Sequence, residues 1–139
     1  MRFMLIVKAN EQSEAGVMPS RELIAEMMKF NEKLANAGVL LSLDGLHPSS
    51  KGARVSFKNG KPTVTDGPFS ETKELIGGYW FIEAASREEA IGWAMLSPAP
   101  NGNGEGIIEV RQLVEMSDFP ADTIDQDAID RVLAAKQGA

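Results

Sequence analysis

Two side chains in this sequence have the chemistry to move a proton. His47 is the single histidine, and imidazole titrates near neutral pH without help from its surroundings. Asp66 opens the corner Asp66-Gly67-Pro68-Phe69. There the proline ring fixes its own φ and drives the glycine toward extended backbone. A carboxylate on such a corner stands in a fixed place, which suits a general base or a hydrogen-bond acceptor facing a pocket. If the two residues meet in the fold, Asp66 would orient the His47 imidazole as a His–Asp pair. Each also has a plainer reading. Asp66 would build its own turn by accepting from a backbone N–H two residues on, and His47 would be a loop histidine beside Pro48.

Other candidates are subordinate to these two. Ser49 and Ser50 follow His47 closely, but the sequence has no nucleophile elbow and no recognisable oxyanion loop, which argues against a Ser-His-Asp triad. Glu109 and Arg111 share one side of a strand; they would pair across a dimer, or Arg111 would receive a substrate carboxylate. Tyr79 and Trp80 would line a substrate site, with Tyr79 free to donate a hydrogen bond. The run Gly102-Asn-Gly-Glu-Gly106 lacks a lysine and precedes no helix, so it is read as a loop or mobile lid rather than a phosphate cradle. With one histidine and no cysteine, neither a metal site nor a cofactor is expected.

Composition sets wider bounds. At 139 residues, the chain suits one domain with a real core. The absence of cysteine fits a reducing, cytoplasmic setting. The first apolar run, Phe3 to Val7, is too short to span a membrane. A net charge of −6 argues against a nucleic-acid partner, because phosphate binding requires clustered Lys and Arg. The acidic residues from Asp118 to Asp130 read as a solvated surface.

The elements that must carry these residues follow from periodicity. Phe3 to Lys8 reads as a strand covered on both faces, and Asn10 to Gly16 as a loop. A helix starts near Pro19 or Ser20 with Leu23, Met27, Phe30 and Leu34 as its apolar stripe, and Gly38 closes it. Val39 to Leu43 is the next strand. Asn59-Gly60 joins Ala53–Lys58 to Lys61–Thr65 as a two-residue hairpin. Gly78 to Ala84 is a strand, and Ser86 to Glu89 is a capping box that opens a helix to about Leu96. Ile107 to Met116 is the last strand, and Asp122 to Lys136 a tail helix. Residues 1–119 form the domain, and 120–139 a helical tail of that domain.

Without the hairpin the order is strand-helix-strand twice over. That is an α+β, ferredoxin-like βαβ-βαβ pattern with both helices on one face of one sheet. In the strand from Gly78 to Ala84, Trp80 and Ile82 point one way, Tyr79 and Phe81 the other. One helix layer covers only one of these apolar sides, and a large exposed apolar patch marks an interface. A homodimer with its sheets face to face is therefore expected. Burying about 500 Å² of apolar surface would supply roughly 12 kcal/mol before association costs.

The corner Asp66-Gly67-Pro68-Phe69, with Glu71-Thr72-Lys73-Glu74-Leu75 and Gly77-Gly78-Tyr79, resembles the signature of the DGPF branch of the YCII-related (YciI-like) family. Met4-Leu5-Ile6, Ser13-Glu14-Ala15-Gly16, Gly45-Leu46-His47-Pro48 and Glu109-Val110-Arg111 support the resemblance, which covers Met1 to about Phe119. It implies a dimeric α/β barrel in which the corner aspartate, Asp66, is the candidate active-site acid or base. It also implies a His–Asp pair with the histidine on the first helix; here that helix holds none, and His47 lies in the loop beyond it. Some members resemble lyases or dehydrochlorinases of small aromatic compounds; many are encoded near extracytoplasmic-function sigma factors. Two functions are thus expected as alternatives: a cofactor-independent enzyme acting on a small organic molecule, or a non-catalytic dimeric ligand-binding or accessory module.

Overall fold

A computed structural model describes residues 1–138. Among these residues six strands form two antiparallel sheets, accompanied by four α-helices, an α+β architecture. Strands β1 (Arg2–Lys8), β2 (Leu40–Gly45), β5 (Ile76–Glu83) and β6 (Ile108–Gln112) make one sheet in the order β2-β5-β1-β6. Every neighbouring pair in it is antiparallel. Strands β3 (Ala53–Lys58) and β4 (Lys61–Asp66) form the second sheet alone. Their turn has Asn59 and Gly60 at φ of 53° and 76°, the mirror-image turn whose twist matches the flanking strands.

Helix α2 (Arg21–Asn36) begins where the Ser20 hydroxyl accepts from the Leu23 N–H, satisfying one of the helix's free donors. It stops in a Schellman turn: Gly38 takes φ of 74°, and the Gly38 and Val39 N–H groups donate to Ala35 and Leu34. Helix α3 (Arg87–Met95) is capped by Ser86, and the Glu89 carboxylate reaches back to the Ala85 N–H. The two helices bring Phe30, Leu34 and Ala90 against Phe3, Leu5, Trp80 and Ile82, the buried core. In register, Phe3 faces Ile82 and Leu5 faces Trp80, so these side chains share one side of the sheet. The other side carries Met4, Ile6, Tyr79 and Phe81, away from the core that α2 and α3 cover. Among the described residues no helix is long and apolar enough to cross a membrane.

Four expectations need correction. The stretch from Asn10 to Gly16 is not all loop: α1 (Glu11–Glu14) is a helical turn in a reciprocal cap between Asn10 and Ser13. The second strand ends at Gly45, not Leu43, because Asp44 and Gly45 still pair with Tyr79 and Gly78. The last strand ends at Gln112, not Met116. Its one neighbour is β1, which starts at Arg2, so after the Leu113 N–H meets the Arg2 carbonyl nothing is left to pair with. The chain turns instead at Met116–Asp118, where Asp118 accepts from the Glu115 N–H. The tail helix α4 starts at Gln126 rather than Asp122, since Asp125 accepts from the Ala128 N–H and so caps the helix there.

Candidate functional site: a pocket beneath helix α2

A cavity of about 490 Å³ opens between α2 and the sheet, within the ~300–1,000 Å³ span usual for small-molecule sites. Its floor comes from a gap in the sheet's side chains. Gly78 pairs with Gly45 on one side and Val7 on the other, so the row next to Leu5, Trp80 and Leu43 has two positions with no side chain. A Cβ on Gly78 would stand 3.0 Å from the Asp44 carbonyl oxygen, so the close approach of the two strands also requires glycine there. Leu23, Met27 and Met28 of α2, with Leu43 and Trp80, make an apolar wall.

The polar side chains of the cavity are mostly neutral. The Trp80 indole N–H donates to Asn31 Oδ1 at 2.7 Å, and its ring meets Phe30 edge to face at 5.2 Å. Asn10 Oδ1 accepts from the Ser13 N–H at 2.8 Å, and Asn10 Nδ2 donates to Asn101 Oδ1 at 2.7 Å. This last bond ties the loop after α3 to the start of α1. The charged residues that edge the cavity are engaged elsewhere: Lys8 lies 4.0 Å from Glu109, and Asp44 accepts from the Tyr79 hydroxyl at 3.3 Å.

The residues singled out in the sequence are spread over three places. Trp80 and Tyr79 border the cavity, but consecutive strand residues point to opposite faces, and Tyr79 stacks with Phe81 on the open side at 5.0 Å. Burial, then the charge and hydrogen bond of Asp44, push the Tyr79 phenol pKa up. Glu109 and Arg111 lie on the same open side, paired with each other at 3.3 Å within one strand. His47 and Asp66 are exposed, away from the cavity lining. No ion pair among the described residues joins them.

Around Asp66 the expected Asx turn is absent. The residue two positions on is Pro68, which has no N–H to give, and among the described residues no hydrogen bond reaches the Asp66 carboxylate. The corner is held by other groups. Ser49 Oγ accepts from the Phe69 N–H at 3.0 Å; Ser49 donates its own hydroxyl and its N–H to Glu14; the Gly67 N–H donates to the Gly52 carbonyl. Arg54 lies over the Phe69 ring at 3.8 Å. Ser49, weighed earlier as a nucleophile, is therefore a strut between α1 and the corner. The sequence signal missed was Asn10 three residues before Ser13, which caps the turn that holds Glu14 in place.

A family model of the YCII-related domain matches residues 1–117, the corner included. The chain belongs to the YCII-related domain family. A relative from Rhizobium meliloti (strain 1021), described as an uncharacterised protein, is 28% identical over 116 residues, 81% of this chain and 94% of that one. Among solved structures, 5-chloro-2-hydroxyhydroquinone dehydrochlorinase from Burkholderia phenoliruptrix AC1100, in complex with 2,5-dihydroxybenzoquinone, is similar over 86% of this chain and 100% of its own. The identity is 14% and the TM-score 0.47. A likeness at that level informs neither the site nor the chemistry of this YCII-related chain.

Proposed function

We propose that this YCII-related protein binds a small organic molecule in the cavity beneath α2 and works as a homodimer. The observation that carries the reading is the glycine-floored apolar space of about 490 Å³ with polar amides at its edge. Filling that space with protein would have stabilised the fold, so an opening kept by Gly45 and Gly78 favours an occupant. Ligand-detected NMR with a panel of small aromatic compounds tests it. Compounds that bind the native protein should lose binding to Leu43→Trp, which fills the cavity. Equal binding to the filled variant would end the reading.

The strand order and the two helices on one face support a ferredoxin-like protomer. The open side, with Met4, Ile6, Tyr79 and Phe81, supports sheet-to-sheet pairing in a dimeric α/β barrel. Further support lies in the hairpin, where Val55, Phe57 and Val64 are 56%, 72% and 65% exposed. Val55 faces Val64 and Phe57 faces Pro62, so the three form one apolar strip suited to a second copy.

One observation favours catalysis as a second reading: the Asp66 carboxylate is not spent on its own turn. In that reading Asp66 and His47 move a proton on a substrate, and Arg111 receives an anionic group. Asp66→Asn would then keep the circular dichroism of the native protein and abolish any turnover found. Full turnover by the variant would remove Asp66 from the chemistry.

A further inference from the structure

We infer that the cavity beneath α2 selects an uncharged, ring-sized molecule that presents a carbonyl oxygen, with the side-chain amides of Asn31 and Asn101 as its hydrogen-bond donors. The inference rests on the cavity being a ligand site, as proposed above, and adds the class of ligand.

Two donor-only groups orient all three amides. An indole N–H can only donate, so Asn31 must turn its oxygen to Trp80, at 2.7 Å. That directs Asn31 Nδ2 away from the indole, where its one partner among the described residues is the weak acceptor sulfur of Met28 at 3.6 Å. A backbone N–H likewise only donates, so Asn10 turns its oxygen to Ser13 and its Nδ2 to Asn101 Oδ1. Asn101 is thereby left presenting an NH₂ group with no acceptor among the described residues. The oxygens of all three amides are thus taken by protein donors, whereas Asn101 Nδ2 has no acceptor among the described residues and Asn31 Nδ2 only a weak one, so both remain available to a ligand oxygen. The cavity lacks acceptors at these two points.

Charge narrows the class further. A carboxylate entering the cavity would need a cation, but the one cation of the lining among the described residues, Lys8, lies 4.0 Å from Glu109, and Asp44 adds a negative charge to the cavity edge. An anion buried against Leu23, Met27 and Trp80 without a counter-charge is strongly disfavoured. A neutral carbonyl meets the amide donors without that cost, and a ring suits the wall of Leu43, Met27 and the Trp80 indole.

The test uses the full ¹⁵N-labelled chain and three probes of similar size: 1-tetralone, its hydrocarbon counterpart tetralin, and 1-naphthoate. Tetralone should move the side-chain amide signals of Asn31 and Asn101 and bind about fivefold tighter than tetralin, the equivalent of about one net hydrogen bond. Naphthoate should bind weakest. Asn101→Asp, which keeps the oxygen that accepts from Asn10 Nδ2 and removes the NH₂ group, should erase most of the preference for tetralone, with circular dichroism reporting that the variant is folded. Equal affinities for tetralone and tetralin, or tightest binding of naphthoate, would overturn the carbonyl inference and leave the cavity as a binding site. Failure of all three probes to move any cavity signal would overturn the cavity reading and this inference with it.

Discussion

At the scale of single residues, the main determinants are glycines and carboxylates with fixed partners. A Cβ on Gly67 would lie 1.8 Å from the Ser49 carbonyl oxygen and 2.7 Å from its carbon. Backbone on both sides leaves no flexible atom to move. Gly67→Ala should therefore lower stability by about 2 kcal/mol or more and speed hydrogen exchange at the Phe69 amide; denaturant unfolding and exchange measurements read both. An unchanged midpoint would mean that the Ser49 segment retreats freely. Tyr79, the single tyrosine, gives a second measurement. Its phenol should ionise above the usual range when followed by absorbance. Asp44→Asn should bring it part of the way down, because burial is the larger cause and remains.

At the scale of elements, the ends of β1 and β6 are clamped by Arg2, which meets Glu115 through two bonds of 2.9 Å. The hydrogen bond to Arg2 holds the Glu115 carboxyl below its ordinary range, against an opposing effect of desolvation. A carboxylate whose pKa falls on folding contributes stability above its unfolded pKa and loses it as pH drops through the folded one. Glu115→Gln should accordingly melt slightly below the native protein at neutral pH. The gap should close in strong acid, as thermal scans at several pH values would show. A gap independent of pH would assign the effect to packing alone.

Element identity was legible where the signal was local. Ser20, Gly38, Ser86 and Asn59-Gly60 mark caps and turns through their own backbone chemistry; only the box read at Ser86 fails to close, since Glu89 accepts from the Ala85 N–H rather than from Ser86. What was illegible depended on partners distant in the chain. The end of β6 is set by where β1 begins, and the cavity exists because Gly78 meets Gly45, a register no local pattern reveals. The apolar stripe of α2 was read correctly as a face, yet only Phe30 and Leu34 are buried core. Met27 and Leu23, one and two turns earlier, wall the cavity, and Met27 also packs against the core's edge. Of the two readings of Asp66, the Asx turn fails for a different reason: it needed a donor on a proline.

For the whole molecule, the uncovered side of the sheet is the decisive quantity. Ile6 is 7% exposed, sheltered by its neighbours, whereas Tyr79 and Phe81 remain half-buried with a further surface to lose. Light scattering should report two copies per particle, and Phe81→Glu should shift the protein to single chains by placing a charge in the middle of that face. A native protein that scatters as one chain would remove the paired-sheet assembly, while leaving the cavity beneath α2, which one protomer builds alone.

The hairpin of β3 and β4 is joined to the rest through its root, where Gly52, Ser49 and Glu14 hold the corner. Its ladder closes on itself, from Ala53 opposite Asp66 to Lys58 opposite Lys61. Such a limb is a detachable module. Its outer rungs could be trimmed, lengthened or fused to a reporter at Asn59-Gly60 without disturbing the four-stranded platform, and variation in its length would tune what the platform engages while the scaffold stays constant.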